Sequence, residues 1–222
     1  MMLRYYQTLL VLSSAVLLAT FDVPVSLAVQ KNPLLPQLTK KMSDPALRRQ
    51  AMFAGEERAL ICGYCHGNDG NSLKPEVPNL AGQNPDYLLE QVGRFARGER
   101  KDYVMNSLAG KFTADDQINL AIYYAAQKVK PGEFDYADAV QGKLLYLQQC
   151  QSCHGKHGLG NRGYARLAGQ KPAYLKMNLE RFRNNALGKD RDEKRRSVIM
   201  EPIAGTLTDQ DIRSLVAYLA SL

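Results

Sequence analysis

Cys62-Gly63-Tyr64-Cys65-His66 and Cys150-Gln151-Ser152-Cys153-His154 are two copies of one pattern, C-x-x-C-H, in a chain of 222 residues. Together they contain all four cysteines and two of the three histidines. Two thiols three residues apart on one helical turn can both form thioether bonds to the vinyl groups of one porphyrin, and the adjacent imidazole then reaches the iron. The pattern therefore predicts two covalently attached haem c groups.

Two other uses of paired cysteines fit this chain less well. A redox-active C-x-x-C is expected within a βαβ unit, and no such pattern surrounds either copy. A zinc site with four thiolates would leave both histidines without a role, and the two pairs lie too far apart for a zinc ribbon.

The first 28 residues are predicted to be an export signal. Arg4 gives a positive start, Leu9-Leu10-Val11-Leu12 through Ala15-Val16-Leu17-Leu18-Ala19 form the apolar stretch, and Ser26-Leu27-Ala28 offers small residues for cleavage. Asp22 and Pro24 interrupt the apolar run, which is short for a membrane span of roughly 20 residues. A retained anchor is the alternative. Export is consistent with the four cysteines. Thiols do not stay free in an oxidising compartment, and thioether bonds to haem would use all four of them.

The net charge of +7 narrows the classes of partner to expect. A basic surface can dock an acidic redox protein or an anionic membrane face. We expect no nucleic-acid partner, because an exported haem protein without a basic-aromatic motif offers no such interface.

An internal repeat predicts the architecture. Asn79-Leu80-Ala81-Gly82-Gln83 recurs as Arg166-Leu167-Ala168-Gly169-Gln170. The offset between the copies is 87 at the prolines and 95 at the methionines, so the second copy carries an eight-residue insertion. It falls within 184–197, which we interpret as a solvated charged loop. Further matched pairs are Pro85 with Pro172, Tyr87 with Tyr174, Met105 with Met200, Thr113 with Thr208, and Leu120 with Leu215.

The repeat predicts two all-α haem domains. The first copy lies in residues 29–131 and the second in residues 132–222, with Pro131-Gly132 at the boundary. Helical spacing leads into each haem motif, and Gly55 and Gly142 lie where another helix could approach closely.

Helix starts are visible elsewhere in each copy. Pro85 and Pro172 suit the first turn of a helix. Thr113 and Thr208 each precede an aspartate by three residues, which resembles a capping box for the last helix of each copy. The apolar residues of those last helices are expected in the core: Leu120, Tyr123, Tyr124, Leu215, Tyr218 and Leu219.

His66 and His154 are the predicted iron ligands. The second ring nitrogen of a ligating histidine normally bonds to an acceptor, and we expect the carbonyls of Pro78 and Ala165 to serve. His157, the remaining histidine, lies in a glycine-rich segment and is expected in solvent.

Met105 and Met200 are the candidates for the sixth ligands. Each precedes the matched aspartate of the last helix by eleven residues, in a segment without helical periodicity. Methionine more often fills a gap in a core. Of the seven methionines, however, only this pair is equivalent in both copies. A thioether ligand raises the reduction potential of the haem.

The haem motifs, the two Leu-Ala-Gly-Gln segments and the segments after Met105 and Met200 together resemble the dihaem cytochrome c4 family. The resemblance covers about residues 44–222. It implies two tandem class I cytochrome c-like domains with haems facing each other across an interface. It also implies a periplasmic carrier, not an enzyme, between redox partners such as a quinol-oxidising complex and a terminal oxidase. Loose membrane association is left open.

The competing hypothesis is a dihaem redox enzyme, such as a peroxidase or a sulfur-compound dehydrogenase. Such an enzyme needs an iron with a labile or absent sixth ligand and acid-base residues beside it. A methionine available to each haem favours the carrier. A haem subunit held permanently in a larger complex is a third interpretation.

Overall fold

The computed structural model describes residues 32–130, 138–161, 163–189 and 194–222. The predicted leader and the predicted boundary at Pro131-Gly132 lie outside these residues. In the described part the secondary structure is helical, as expected, and its one extended pairing is an antiparallel bridge between Arg100 and Arg195. None of the helices described is both long and apolar enough to cross a bilayer.

The described residues form ten helices. In chain order they are α1 (Leu35–Ser43), α2 (Pro45–His66), α3 (Pro85–Ala96), α4 (Tyr103–Ala109), α5 (Ala114–Ala125), α6 (Ala139–Gln149), α7 (Gln151–His154), α8 (Pro172–Ala186), α9 (Met200–Gly205) and α10 (Asp209–Ala220).

The first half is organised by the packing of α2 against α5. Gly55 permits it, because a Cβ atom there would collide with the carbonyl oxygen of Asn119. Leu38 of α1, Leu89 of α3 and Ile118 of α5 complete a core that is closed to solvent. The close approach predicted at Gly55 is therefore confirmed.

The second half repeats this arrangement with α6 against α10. A Cβ atom at Gly142 would collide with the carbonyl of Ser214, so the glycine is again required by the distance between the two helices. Tyr146, Ile212 and Leu215 are buried in the core of this half.

Both predicted capping boxes are confirmed. The hydroxyl of Thr113 accepts a hydrogen bond from the backbone N–H of Asp116 at 3.1 Å, and the carboxylate of Asp116 accepts from the N–H of Thr113 at 2.9 Å. Thr208 and Asp211 repeat the pair at the same distances. These boxes begin α5 and α10, and all six apolar residues predicted for the core in these helices are buried. Pro85 and Pro172 open α3 and α8 as expected.

The expectation of irregular segments around the two methionines is wrong. Met105 lies inside α4, which begins because the carboxylate of Asp102 accepts from the N–H groups of Val104 and Met105 at 3.1 and 2.9 Å. Met200 is the first residue of α9. Helices of one or two turns are too short to leave a periodic signal in the sequence.

Candidate haem sites and the contact between the two halves

The last turns of α2 present the first motif. His66 ends the helix and is buried, and its Nδ1 lies 2.9 Å from the carbonyl oxygen of Pro78. A carbonyl can only accept, so Nδ1 must carry the proton of this bond. In the neutral ring, Nε2 then keeps its lone pair, which is the tautomer that an iron ligand requires.

The second motif has the same geometry on different helices. Cys150 follows the end of α6, and α7 carries the rest of the motif to His154. Nδ1 of His154 lies 2.9 Å from the carbonyl oxygen of Ala165. The expected carbonyl acceptors are thus confirmed in both halves, although proline is replaced by alanine in the second.

Electrostatics favour neutral imidazoles at both places. Burial lowers the pKa of His66 despite the hydrogen bond to Pro78, and the positive charge of Arg100 lowers it further. Burial likewise lowers the pKa of His154. Neutral imidazole is the form that coordinates iron, so these environments suit ligation.

The cysteines lie where a thioether fits better than a reactive thiol. None of the four is in a disulfide, and Cys62 and Cys150 pack against the two cores. Burial raises the pKa of the Cys62 thiol, and it raises that of Cys150 to about 11. A thiol-exchange site needs the opposite, a lowered thiol pKa. Among the described residues, no three His, Cys, Asp or Glu side chains are grouped as a metal site.

The candidate methionines are half-buried at equivalent places. Met105 lies on α4, which packs against α3, and Met200 begins α9, which packs against α8 and the core of the second half. His157 is exposed, as expected.

Two glutamines join the halves by a reciprocal contact that the sequence did not reveal. The Gln83 amide donates to the carbonyl of Arg166 at 2.9 Å and accepts from its N–H at 2.6 Å. Gln170 donates to the carbonyl of Asn79 at 3.0 Å and accepts from its N–H at 2.7 Å. The recurrence of both glutamines in the repeat was visible, but nothing in it indicated that each bonds to the opposite copy.

Two arginines and two tyrosines form a second contact, here named the arginine–tyrosine cluster: Tyr87, Arg100, Tyr174 and Arg195. Arg100 and Arg195 donate to the hydroxyl of Tyr174 at 2.9 and 2.8 Å, and Arg195 also donates to Tyr87 at 2.6 Å. Arg195 belongs to the predicted solvated loop, so that interpretation is wrong for this residue. The sequence did contain a signal that Arg195 is equivalent to Arg100. Arg195 precedes Met200 by five residues, as Arg100 precedes Met105.

One buried group differs between the halves. The Tyr124 hydroxyl is buried, and within the described part of the chain it has no partner that meets hydrogen-bond geometry. Burial raises its pKa, and the neighbouring Cys62 thiol adds to the effect. The equivalent residue is the apolar Leu219.

The residues present fit a haem at each motif. The two histidines are held in the ligating tautomer, the first cysteine of each pair faces an apolar core, and a half-buried methionine occurs at the same place in each half.

Comparison with known proteins gives consistent matches. The cytochrome c family model matches residues 139–222. Cytochrome c4 of Pseudomonas aeruginosa is 35% identical over 179 residues, covering 76% of this chain and 87% of that protein. The structure of reduced recombinant cytochrome c4 from Pseudomonas stutzeri has a TM-score of 0.69 and 34% identity, covering 77% of this chain and 98% of that one. Cytochrome c4 of Acidithiobacillus ferrooxidans has a TM-score of 0.65 and 30% identity, over 74% and 99% of the two chains.

Proposed function

The chain belongs to the dihaem cytochrome c4 family of electron carriers, and we propose that it works in the periplasm, passing electrons between respiratory-chain proteins. The observation that carries this proposal is the duplicated histidine geometry, with each Nδ1 bonded to a carbonyl at 2.9 Å. The same histidine geometry at both motifs suits two haems that have the same electron-transfer role.

The site residues are assigned as follows. Cys62 and Cys65 would hold the first haem c, and His66 and Met105 would bind its iron. Cys150 and Cys153 would hold the second haem c, and His154 and Met200 would bind its iron. The repeat supports both methionines, because they are the equivalent pair and both are half-buried.

When bound, haem supplies reversible one-electron chemistry at its iron. The chain's own residues would keep the ligands of each iron in place. The carbonyls of Pro78 and Ala165 fix the ring orientation of the two histidines, and the packed cores keep water away. A ligand set that does not change needs little rearrangement at each transfer, which favours a carrier.

The domain organisation belongs to the same proposal. Residues 1–28 would be a leader removed on export, with haem domains at 29–131 and 132–222. The repeated helix order and the duplicated capping boxes support two units of common origin.

We infer partners from charge and family. The net charge of +7 favours acidic docking surfaces on redox proteins. A quinol-oxidising complex is the proposed donor and a terminal oxidase the proposed acceptor.

The test is a spectroelectrochemical titration of the purified protein, with turnover assays. We expect two one-electron transitions per chain, rapid electron exchange with a small acidic redox protein, and no consumption of peroxide or thiosulfate when the protein is alone. Catalytic turnover of either compound at a rate that tracks haem content would contradict the carrier and favour the enzyme.

A further inference from the structure

Three large apolar side chains form a row on the solvent side of α2, here named the outer stripe: Phe53, Leu60 and Tyr64. Their exposed fractions are 65%, 75% and 86%. They are seven and four residues apart in the sequence, so they share one face of the helix. Single exposed apolar residues are common on protein surfaces, but an aligned row of three large ones indicates a surface that binds a partner.

The predicted haem attachment does not account for the outer stripe. The buried side of α2 carries Gly55, Ala59 and His66, and Cys62 packs against the core on that side. Nine residues separate Phe53 from Cys62, which places them about 180° apart around the helix axis. A haem held by Cys62 would therefore leave the stripe in solvent.

The second half does not repeat the outer stripe. Cys62 and Cys150 are 88 residues apart, and at this offset the equivalents of the three stripe residues are Gln141, Gln148 and Ser152. These three are polar and exposed, although α6 packs against α10 as α2 packs against α5. The fold therefore does not need apolar side chains at these places, and the stripe has a cause outside the chain's own packing.

The charges beside the stripe allow it to bind a copy of itself. Arg49 precedes Phe53 by four residues and Glu57 follows it by four, so both charges lie on the same face as the ring. Both are exposed, and neither forms an ion pair or a side-chain hydrogen bond with another described residue. If two such helices lie antiparallel with their Phe53 rings in contact, Arg49 of each chain lies opposite Glu57 of the other.

We propose that the chain forms a dimer through the outer stripe, with the α2 helices of two copies packed antiparallel about a twofold axis at Phe53. Two Arg49–Glu57 ion pairs flank the contact between the two rings. Leu60 lies opposite Ala46 of the second copy, a small exposed residue that leaves room for it. A contact that uses the same patch on both subunits closes after two copies, so it yields a dimer and not a filament.

A second copy fits this surface better than a membrane or a uniformly acidic protein does. Glu56 and Glu57 lie beside Phe53 on α2, and an anionic bilayer would repel both carboxylates. An acidic protein would likewise place negative charge against Glu57. The stripe needs a partner with one acidic and one basic group around an apolar centre, and the chain itself offers that arrangement.

The direct test is sedimentation equilibrium of the haem-loaded protein from about 1 µM to about 1 mM, where a contact of a few apolar side chains is expected to dissociate. We expect the wild type to pass from monomer to dimer within this range. Phe53→Gln, which introduces the residue type of Gln141, should raise the dissociation constant at least about tenfold. Val140→Gln removes an apolar side chain of α6 that is 77% exposed, and as the control it should leave the constant unchanged.

Two results of this experiment would overturn the proposal. One is a wild-type protein that stays monomeric throughout the range. The other is a Phe53→Gln protein that dimerises as the control does. The Soret and far-ultraviolet circular dichroism spectra establish that each variant is folded and carries haem.

Charge reversal tests the antiparallel register. Arg49→Glu and Glu57→Arg each turn two attractive pairs per dimer into repulsive ones, so each should raise the dissociation constant about tenfold at low ionic strength. The double variant Arg49→Glu/Glu57→Arg exchanges the two charges and should restore the wild-type constant. An equimolar mixture of the two single variants should also dimerise, because every opposing pair then carries opposite charges. A double variant or a mixture as weak as the single variants would overturn the proposed contact.

Flotation with phosphatidylglycerol vesicles tests the membrane as the alternative occupant. We expect the same recovery of the wild type and of Phe53→Gln with the vesicles. Flotation of the wild type that Phe53→Gln abolishes would assign the stripe to a bilayer and overturn the proposal. None of these measurements involves electron transfer, so they can be read whether or not the protein proves to be a carrier.

Discussion

The side-chain amide of Gln83 makes two hydrogen bonds to the backbone of Arg166, donating to its carbonyl at 2.9 Å and accepting from its N–H at 2.6 Å. These two bonds join a side chain of the first half to the backbone of the second half. Gln170 makes the same pair of bonds to Asn79, so the contact has approximate twofold symmetry. Both glutamines are buried, which makes these bonds costly to leave unmade.

Replacing Gln83 or Gln170 should therefore weaken the union of the halves. The Gln170 variant leaves the N–H and carbonyl of the buried Asn79 without this partner, and the Gln83 variant does the same to the half-buried Arg166, at a cost of about 1–3 kcal/mol each. We expect the thermal midpoint of the haem-loaded protein to fall by several degrees. Gln210→Ala, on the exposed face of α10, is the control. Equal midpoints for all three variants would show that the reciprocal contact contributes nothing.

Gly142→Ala tests the close approach of α6 to α10. The added methyl group would collide with the carbonyl of Ser214, and helices forced apart in a packed core lose about 1–3 kcal/mol or more. We expect a lower midpoint and poor yield of haem-loaded protein. Gly110→Ala is the control, because φ there is −63° and the nearest atom to an added Cβ is 3.1 Å away. A Gly142→Ala protein as stable as the control would mean that the helices can separate freely.

Thr208→Ala should destabilise the protein by about 1 kcal/mol at pH 7, because it removes the cap of α10. Hydrogen bonds from the hydroxyl and N–H of Thr208 lower the pKa of Asp211. A carboxyl whose folded pKa is depressed stabilises the fold above its unfolded pKa of about 3.9, and this contribution disappears as the pH falls through the folded value.

The midpoint difference between Thr208→Ala and wild type should therefore shrink between pH 7 and pH 3. Thr39→Ala removes a hydroxyl that donates to the carbonyl of Leu35, so its difference should not change with pH. A Thr208→Ala difference as large at pH 3 as at pH 7 would contradict the role given to Asp211.

Tyr124→Phe should leave the protein as stable as wild type or more stable. The hydroxyl it removes is buried and has no hydrogen-bond partner among the described residues, and Leu219 shows that an apolar side chain suits the equivalent place. Tyr146→Phe is the contrasting variant, because its hydroxyl donates to the carbonyl of Gly155 and its loss should cost about 1 kcal/mol. Equal losses in chemical or thermal denaturation would mean that the Tyr124 hydroxyl has a partner in the haem-loaded protein.

Local patterns predicted much of the fold. The prolines of α3 and α8, the threonine caps of α5 and α10, and the glycines of α2 and α6 each obey a rule that acts within a few residues. The carbonyl acceptors of the histidines could be predicted as well, because each follows its motif closely in the chain. Short helices such as α4 and α9 could not, since one or two turns give no period to detect.

The contact between the halves could not be predicted, because it depends on how two folded units meet. Gln83 and Arg166 are far apart in sequence, and no local rule pairs them. Charge alone also misled the interpretation of 184–197: Arg195 is charged yet half-buried, because tyrosine hydroxyls and an aromatic face replace water around it. The equivalence of Arg100 and Arg195 was present in the repeat, but their meeting was not.

The central proposal is that a histidine and a methionine would both bind each iron, and binding of carbon monoxide to the dithionite-reduced protein tests it most directly. Met105→Ala and Met200→Ala, which each vacate one position, should take up one carbon monoxide per chain with a changed Soret band. The wild-type protein should take up none on the same timescale. Rapid binding by either haem of the wild type would contradict the account.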